Sequence, residues 1–107
     1  MSKISVYYKE IKLGELTFDD EYFIYSANKE NVEHAHKLNY PTFLYNCDNN
    51  FKSKSLPYSF DDFIVKNENI HLYPQAKIFP SDTLFERLYK FAKLDNGTKP
   101  DFHLHID

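Results

Sequence analysis

In the first twenty-five residues apolar side chains recur at every second position, and the breaks between runs are only two or three residues long. Ile4, Val6 and Tyr8 alternate with Ser5 and Tyr7. After Lys9-Glu10 the run Ile11-Lys12-Leu13-Gly14-Glu15-Leu16-Thr17-Phe18 alternates again, with Ile11, Leu13 and Phe18 as its apolar set. Asp19-Asp20-Glu21 then leads into Tyr22-Phe23-Ile24-Tyr25. A period of two is the mark of a half-buried strand. Breaks this short cannot carry the crossover that parallel strands need, so the pattern predicts a three-stranded antiparallel meander. Gly14, inside the second run, predicts a bulge or a close backbone approach.

Beyond the meander the period changes. Asn28 can cap a helix from Lys29 to about Leu38, which Pro41 stops by pushing Tyr40 out of helical geometry. Thr42-Phe43-Leu44-Tyr45 reads as a short strand, and the Asn-, Asp-, Lys- and Ser-rich stretch 46–55 reads as a surface loop. Ser59-Phe60-Asp61-Asp62-Phe63-Ile64 begins with a capping residue and sets Phe60, Phe63 and Ile64 on one helical stripe. Ser81 or Thr83 starts a stronger helix through Leu84, Phe85, Leu88, Phe91 and Ala92, with Asn96-Gly97 as its left-handed stop. Phe102 to Ile106 alternates once more. The expected class is α+β: a small antiparallel sheet, two to three short helices and a C-terminal strand.

Composition narrows the function classes. At 107 residues the chain has the size of one domain, 1–107, and can bury roughly 65% of the surface its unfolded form exposes. Twelve of its thirteen cations are Lys and the net charge is -3, which argues against a nucleic-acid reader with Arg forks and a basic face. No segment approaches the roughly 18 apolar residues of a membrane helix, and the polar N-terminus does not read as a signal peptide. A single cysteine fits a reducing compartment, so a cytoplasmic protein is expected. Ten Phe and nine Tyr are more than one small core comfortably hides, so some are expected at an interface, where Tyr is favoured. A coding bias toward Phe, Tyr, Asn, Lys and Ile would enrich the same residues without functional meaning.

Few residues invite chemistry. His103, His105 and Asp107 would share one face of a strand, offering two imidazoles and a carboxylate to a metal with an open position. The competing reading has Phe102, Leu104 and Ile106 facing the core and the polar residues facing water. His34 and His36 lie two apart on a helix and point in different directions, as on a solvated face; His71 reads as structural. Cys47 lacks the surroundings of a nucleophile and reads as an unreactive thiol. With two glycines and no nucleophile elbow, neither catalytic residues nor cofactors are expected.

Val6-Tyr7-Tyr8, Leu13-Gly14-Glu15-Leu16 and Tyr22-Phe23-Ile24-Tyr25, followed by Leu56-Pro57-Tyr58-Ser59-Phe60-Asp61-Asp62-Phe63-Ile64, resemble the N-terminal subdomain 1 of HipA-type serine/threonine kinases. That subdomain runs through a strand, a (V/L)-G-x-L pattern, an aromatic strand and a Leu-Pro step into an aromatic helix. The Asn-rich stretch 46–55 departs from the Ser-Leu tract usual before that step. The resemblance implies a free-standing HipS-like component of a HipBST toxin–antitoxin system, a non-catalytic antitoxin-like partner that binds and restrains a HipT-like kinase. A HipB-like protein would supply DNA binding, so this chain is expected to touch neither nucleic acid nor membrane. The expected partner surface is Leu56, Pro57, Tyr58, Phe60 and Phe63, with a core stripe as the competing reading of Phe60, Phe63 and Ile64. Should that segment not be the interface, the aromatic strand Tyr22 to Tyr25, pairing with a partner's sheet, is the next expected surface.

Overall fold

The computed structural model describes residues 2–94 and 101–107. Strands β1 (Ile4–Tyr8), β2 (Ile11–Phe18), β3 (Phe23–Ala27), β4 (Phe51–Ser53) and β5 (Phe102–His105) form one antiparallel sheet in the order β4-β3-β2-β1-β5. Helix α1 (Lys29–Lys37) follows β3, and α2 (Leu84–Ala92) precedes β5. The expected α+β class and N-terminal meander are therefore present. Among the described residues, no helix is long and apolar enough to cross a membrane.

The meander follows from local chemistry. Lys9 takes a positive φ of 50° in the first turn. In the second, the Asp19 carboxylate accepts from the Glu21 and Tyr22 N–H groups, while Asp20 adopts a left-handed φ of 74°. Gly14 answers both of its expectations. The register passes from Val6↔Gly14 to Tyr7↔Lys12, leaving Leu13 as an extra residue. This bulge shifts the side-chain parity, so that Ile11 before it and Leu16 after it both reach the core. A Cβ on Gly14 would lie 2.5 Å from the Tyr25 hydroxyl and press on the Ser26 carbonyl.

The helices pack against the apolar sheet face. Asn28 caps α1 through the Asn31 N–H, and Val32 and Ala35 are its buried side chains. Thr83 and Glu86 form a reciprocal capping box that starts α2, whose Phe85, Leu88 and Ala92 join the same core as Val6, Leu16 and Leu104. The expected stop at Asn96-Gly97 lies outside the described residues.

Between the helices the structure departs from the sequence pattern. Thr42–Tyr45 is a 3-10 turn and not a strand. Residues three apart eclipse in such a turn, so Thr42 and Tyr45 face inward while Phe43 and Leu44 face out. Inside the expected loop, Phe51–Ser53 forms β4 and closes over β3. The aromatic strand is consequently interior to the sheet, and β4 is the edge. Tyr58–Phe63, Asn67–Leu72 and Pro74–Ala76 are further 3-10 turns.

Arg87, the one arginine of the chain, ties this middle region to α2. Its buried guanidinium group donates to the Val65, Pro80 and Asp82 carbonyls and to the Asn67 side chain, at 2.7–3.2 Å. A small satellite core of Val65, Ala76 and Ile78 sits beside it.

A candidate interaction cleft beside the sheet edge

A cleft of about 510 Å³ runs along β4. Phe43, Phe51, Leu56 and Pro57 supply its apolar walls, and Asp48 and Asn50 are among its polar ones. Its position traces back to Gly14. Because Gly14 has no side chain, the Tyr25 ring lies across it, and the Tyr25 hydroxyl donates to the Cys47 carbonyl at 2.8 Å. Burial pushes that hydroxyl's pKa up strongly, so it stays a neutral donor. The Asn50 amide oxygen accepts the Ala27 N–H at 2.8 Å, and Ser59 donates to the Tyr45 carbonyl at 2.7 Å. These contacts hold the cleft's polar wall against β3 and bring the turns at Thr42 and Tyr58 together.

The expected partner residues divide. Leu56 and Pro57 are half-buried in the cleft wall, and Tyr58, the next residue in the chain, is 90% exposed. Phe60 is corrected: it is 0% exposed, its ring edge-on to Phe102 at 5.9 Å, and it offers nothing to a partner. Phe63 is half-buried between Phe91 and Phe102 and packs on the core. The eclipsed i, i+3 geometry of the turn sends both rings inward. Phe43, 66% exposed, belongs to the cleft, although the sequence reading placed it in a strand. Pro41 followed by Thr42 and three large residues without alternation is the available signal.

His103 is buried, with Tyr7 stacked on it at 5.3 Å, which the simple polar-face reading of β5 did not anticipate. Asp107 turns to Ser5, to Lys12 at 2.8 Å and to Tyr7, and lies 3.8 Å from His105. The Lys12 and Ser5 hydrogen bonds lower the Asp107 pKa. Among the described residues, no three His, Cys, Asp or Glu side chains form a metal-holding group, His103, His105 and Asp107 included. His36 reaches the Asp48 carboxylate at 2.9 Å, a contact from α1 to the cleft wall that the sequence spacing did not reveal. His34 and His71 are exposed. Cys47 is fully buried and its pKa is pushed up to about 12 by burial, which leaves it protonated and unreactive.

No protein-family model, curated protein or solved structure matches the chain. The functional reading therefore stands on geometry and on the sequence resemblance.

Proposed function

We propose that this chain is a non-catalytic interaction module, a HipS-like antitoxin that binds a HipA-family serine/threonine kinase of the HipT type and restrains it in the cytoplasm. The observation that carries the binding role is the set of apolar cleft residues Phe43, Phe51, Leu56 and Pro57, next to which the chain exposes Leu44 and Tyr58. Large apolar side chains clustered at a cleft mark sites of protein association. The resemblance of the meander and of the Leu56-Pro57-Tyr58 step to the HipA N-terminal subdomain supports the kinase as partner. Operator binding falls to a HipB-like subunit on this reading, in keeping with a net charge of -3.

The test mixes the purified chain with a HipA-family kinase that lacks its own N-terminal subdomain, and follows binding and autophosphorylation. Binding with a fall in kinase activity is expected. Tyr58→Ala is expected to weaken binding by roughly 2 kcal/mol with melting unchanged, because its side chain lies almost wholly in solvent. Neither binding nor a change in phosphorylation by the unaltered chain would sink the reading.

A further inference from the structure

We infer that the cleft along β4 receives an extended segment of the partner as an added strand, one carrying a basic residue between apolar neighbours on its cleft-facing side. This deepens the interaction reading above and rests on it for the partner's identity. The phase of the ladder comes from the β2–β3 turn, where the Asp19 N–H donates to the Tyr22 carbonyl. Hydrogen-bonded and non-hydrogen-bonded pairs alternate along an antiparallel ladder. Ile24 therefore spends its backbone groups on β2, while Phe23 and Tyr25 direct theirs at β4. The Ala27 N–H, two residues further on, indeed points to that side and meets Asn50. With Tyr25 opposite Phe51, Ile24 opposite Lys52 and Phe23 opposite Ser53, Phe51 and Ser53 pair with β3, and Lys52 turns its N–H and C=O outward. Among the described residues, no backbone hydrogen bond outside the β3–β4 pairing involves Lys52.

Side-chain parity and charge define the occupant. Phe51 shares the Tyr25 face, their rings stacked at 5.2 Å, and lines the cleft with Phe43, Leu56 and Pro57. An added strand would set every second side chain against those four. Lys52 of β4 and Lys54 just after it are drawn away from the cleft: they lie 4.8 and 5.6 Å from the Tyr22 ring, and Lys54 is 3.7 Å from Glu21. The cleft lining contains Asp48, which His36 contacts at 2.9 Å through one carboxylate oxygen, and no Lys or Arg; the exposed Asp61 and Asp62 follow Tyr58 in the chain. Apolar walls under a negative local charge select apolar residues flanking a cation.

The probe is the capped peptide acetyl-Thr-Leu-Thr-Lys-Thr-Leu-Thr-amide, titrated into the isotope-labelled full chain and read by amide chemical shifts. Saturable shifts at Lys52, Phe43 and Leu56 are expected. A twin with Glu in place of Lys should bind about tenfold more weakly, as should one of two twins N-methylated on alternate amides. The second N-methylated twin should bind like the parent, because only one set of amides meets β4. Equal binding by the two methylated twins, shifts confined to another surface, or no saturable shift would overturn the proposal. A kinase arm separates this inference from the reading beneath it. Lys52→Pro removes the outward N–H, together with the ammonium beside the Tyr22 ring, a substitution that edge strands accept, and Phe43→Ser removes the apolar wall without adding charge. Each should weaken kinase binding about tenfold with melting retained. Kinase binding unchanged by both variants overturns the added strand and leaves the kinase reading standing. A strand-like peptide response beside a kinase that never binds supports the strand and removes the kinase.

Discussion

In the sheet, strands β1, β2 and β3 satisfy their backbone groups against continuous neighbours, and their buried apolar side chains come at every second position on either side of one bulge. From Thr42 to Ala76 the chain instead passes through four 3-10 turns and the three-residue β4. Isolated side chains reach in to hold it: Tyr25 to the Cys47 carbonyl, Ser59 to the Tyr45 carbonyl, Arg87 to the Val65 carbonyl and Asn67. The sheet is a repeating device, in which many similar bonds share the load. The turn region is a set of single anchors, and the loss of one should be felt locally. The cleft lies where the two meet. Outward-facing apolar residues on short turns give it walls, and the sheet edge gives it a floor.

That contrast can be broken most severely at Phe60. Phe60→Ala should cost about 3–5 kcal/mol in denaturant or thermal unfolding, because the fully buried ring joins the turn region to Phe102 of β5. A loss below about 1 kcal/mol would mean that this turn is not part of the main core. Next comes Arg87→Met, which leaves the Val65 and Pro80 carbonyls and the Asn67 side chain without their donor. Roughly 2–4 kcal/mol is expected, with hydrogen exchange accelerating first across residues 65–80 while the sheet amides stay protected. Uniform acceleration through the sheet would erase the distinction between the two regions. Arg87→Lys should recover little of the loss, since one ammonium cannot span the same fork of acceptors.

Gly14→Ala tests how the regions are coupled. The added methyl group collides with the Ser26 carbonyl and the Tyr25 hydroxyl end, and about 1–3 kcal/mol of stability should be lost. The displaced Tyr25 should release the Cys47 carbonyl and expose the thiol. Thiol-reagent labelling under native conditions should therefore rise in the variant, whereas the unaltered chain resists labelling until it unfolds. Unchanged labelling would show that Tyr25 is not the link.

The smallest effect is electrostatic. Asp82 has its carboxyl pKa lowered mainly by the Lys90 ammonium at 2.6 Å, with help from the Phe79 N–H. A carboxyl titrating lower in the fold than in the unfolded chain stabilises fully above its unfolded value of about 3.9, and that contribution disappears as pH falls through the folded value. Asp82→Asn should cost about 1 kcal/mol at neutral pH and flatten the acid limb of a melting-temperature profile between about pH 5 and 2. Asp107, about half exposed beside Lys12 on the sheet's polar face, titrates in the same direction, but solvent screening should make its limb shallower. An Asp107→Asn effect larger than that of Asp82→Asn would reverse the ordering of the two regions.

The alternation of Ile4, Val6 and Tyr8, the polar turns at Lys9 and Asp19, the capping residue Asn28 and a second helix start at Ser81 or Thr83 were legible from the chain alone. Each is a local decision: a side-chain period, a left-handed turn position, or an oxygen that accepts a nearby N–H. Gly14 was legible as a bulge or close approach, though not as the seat of the Tyr25 ring. Three results depended on contacts made across long separations. Phe51–Ser53 became an edge strand because β3 offered a ladder, and Phe60 went inside because Phe102 was there to receive it. Arg87 was buried because the turns at Val65 and Pro80 presented carbonyls to it. A three-residue strand or a single 3-10 turn has too little period for a sequence pattern to distinguish its faces. The sequence by itself therefore determined the meander and the helix starts. Tertiary structure decided which of Leu56, Pro57, Tyr58, Phe60 and Phe63 meet solvent, because that choice depends on which distant surfaces close over them.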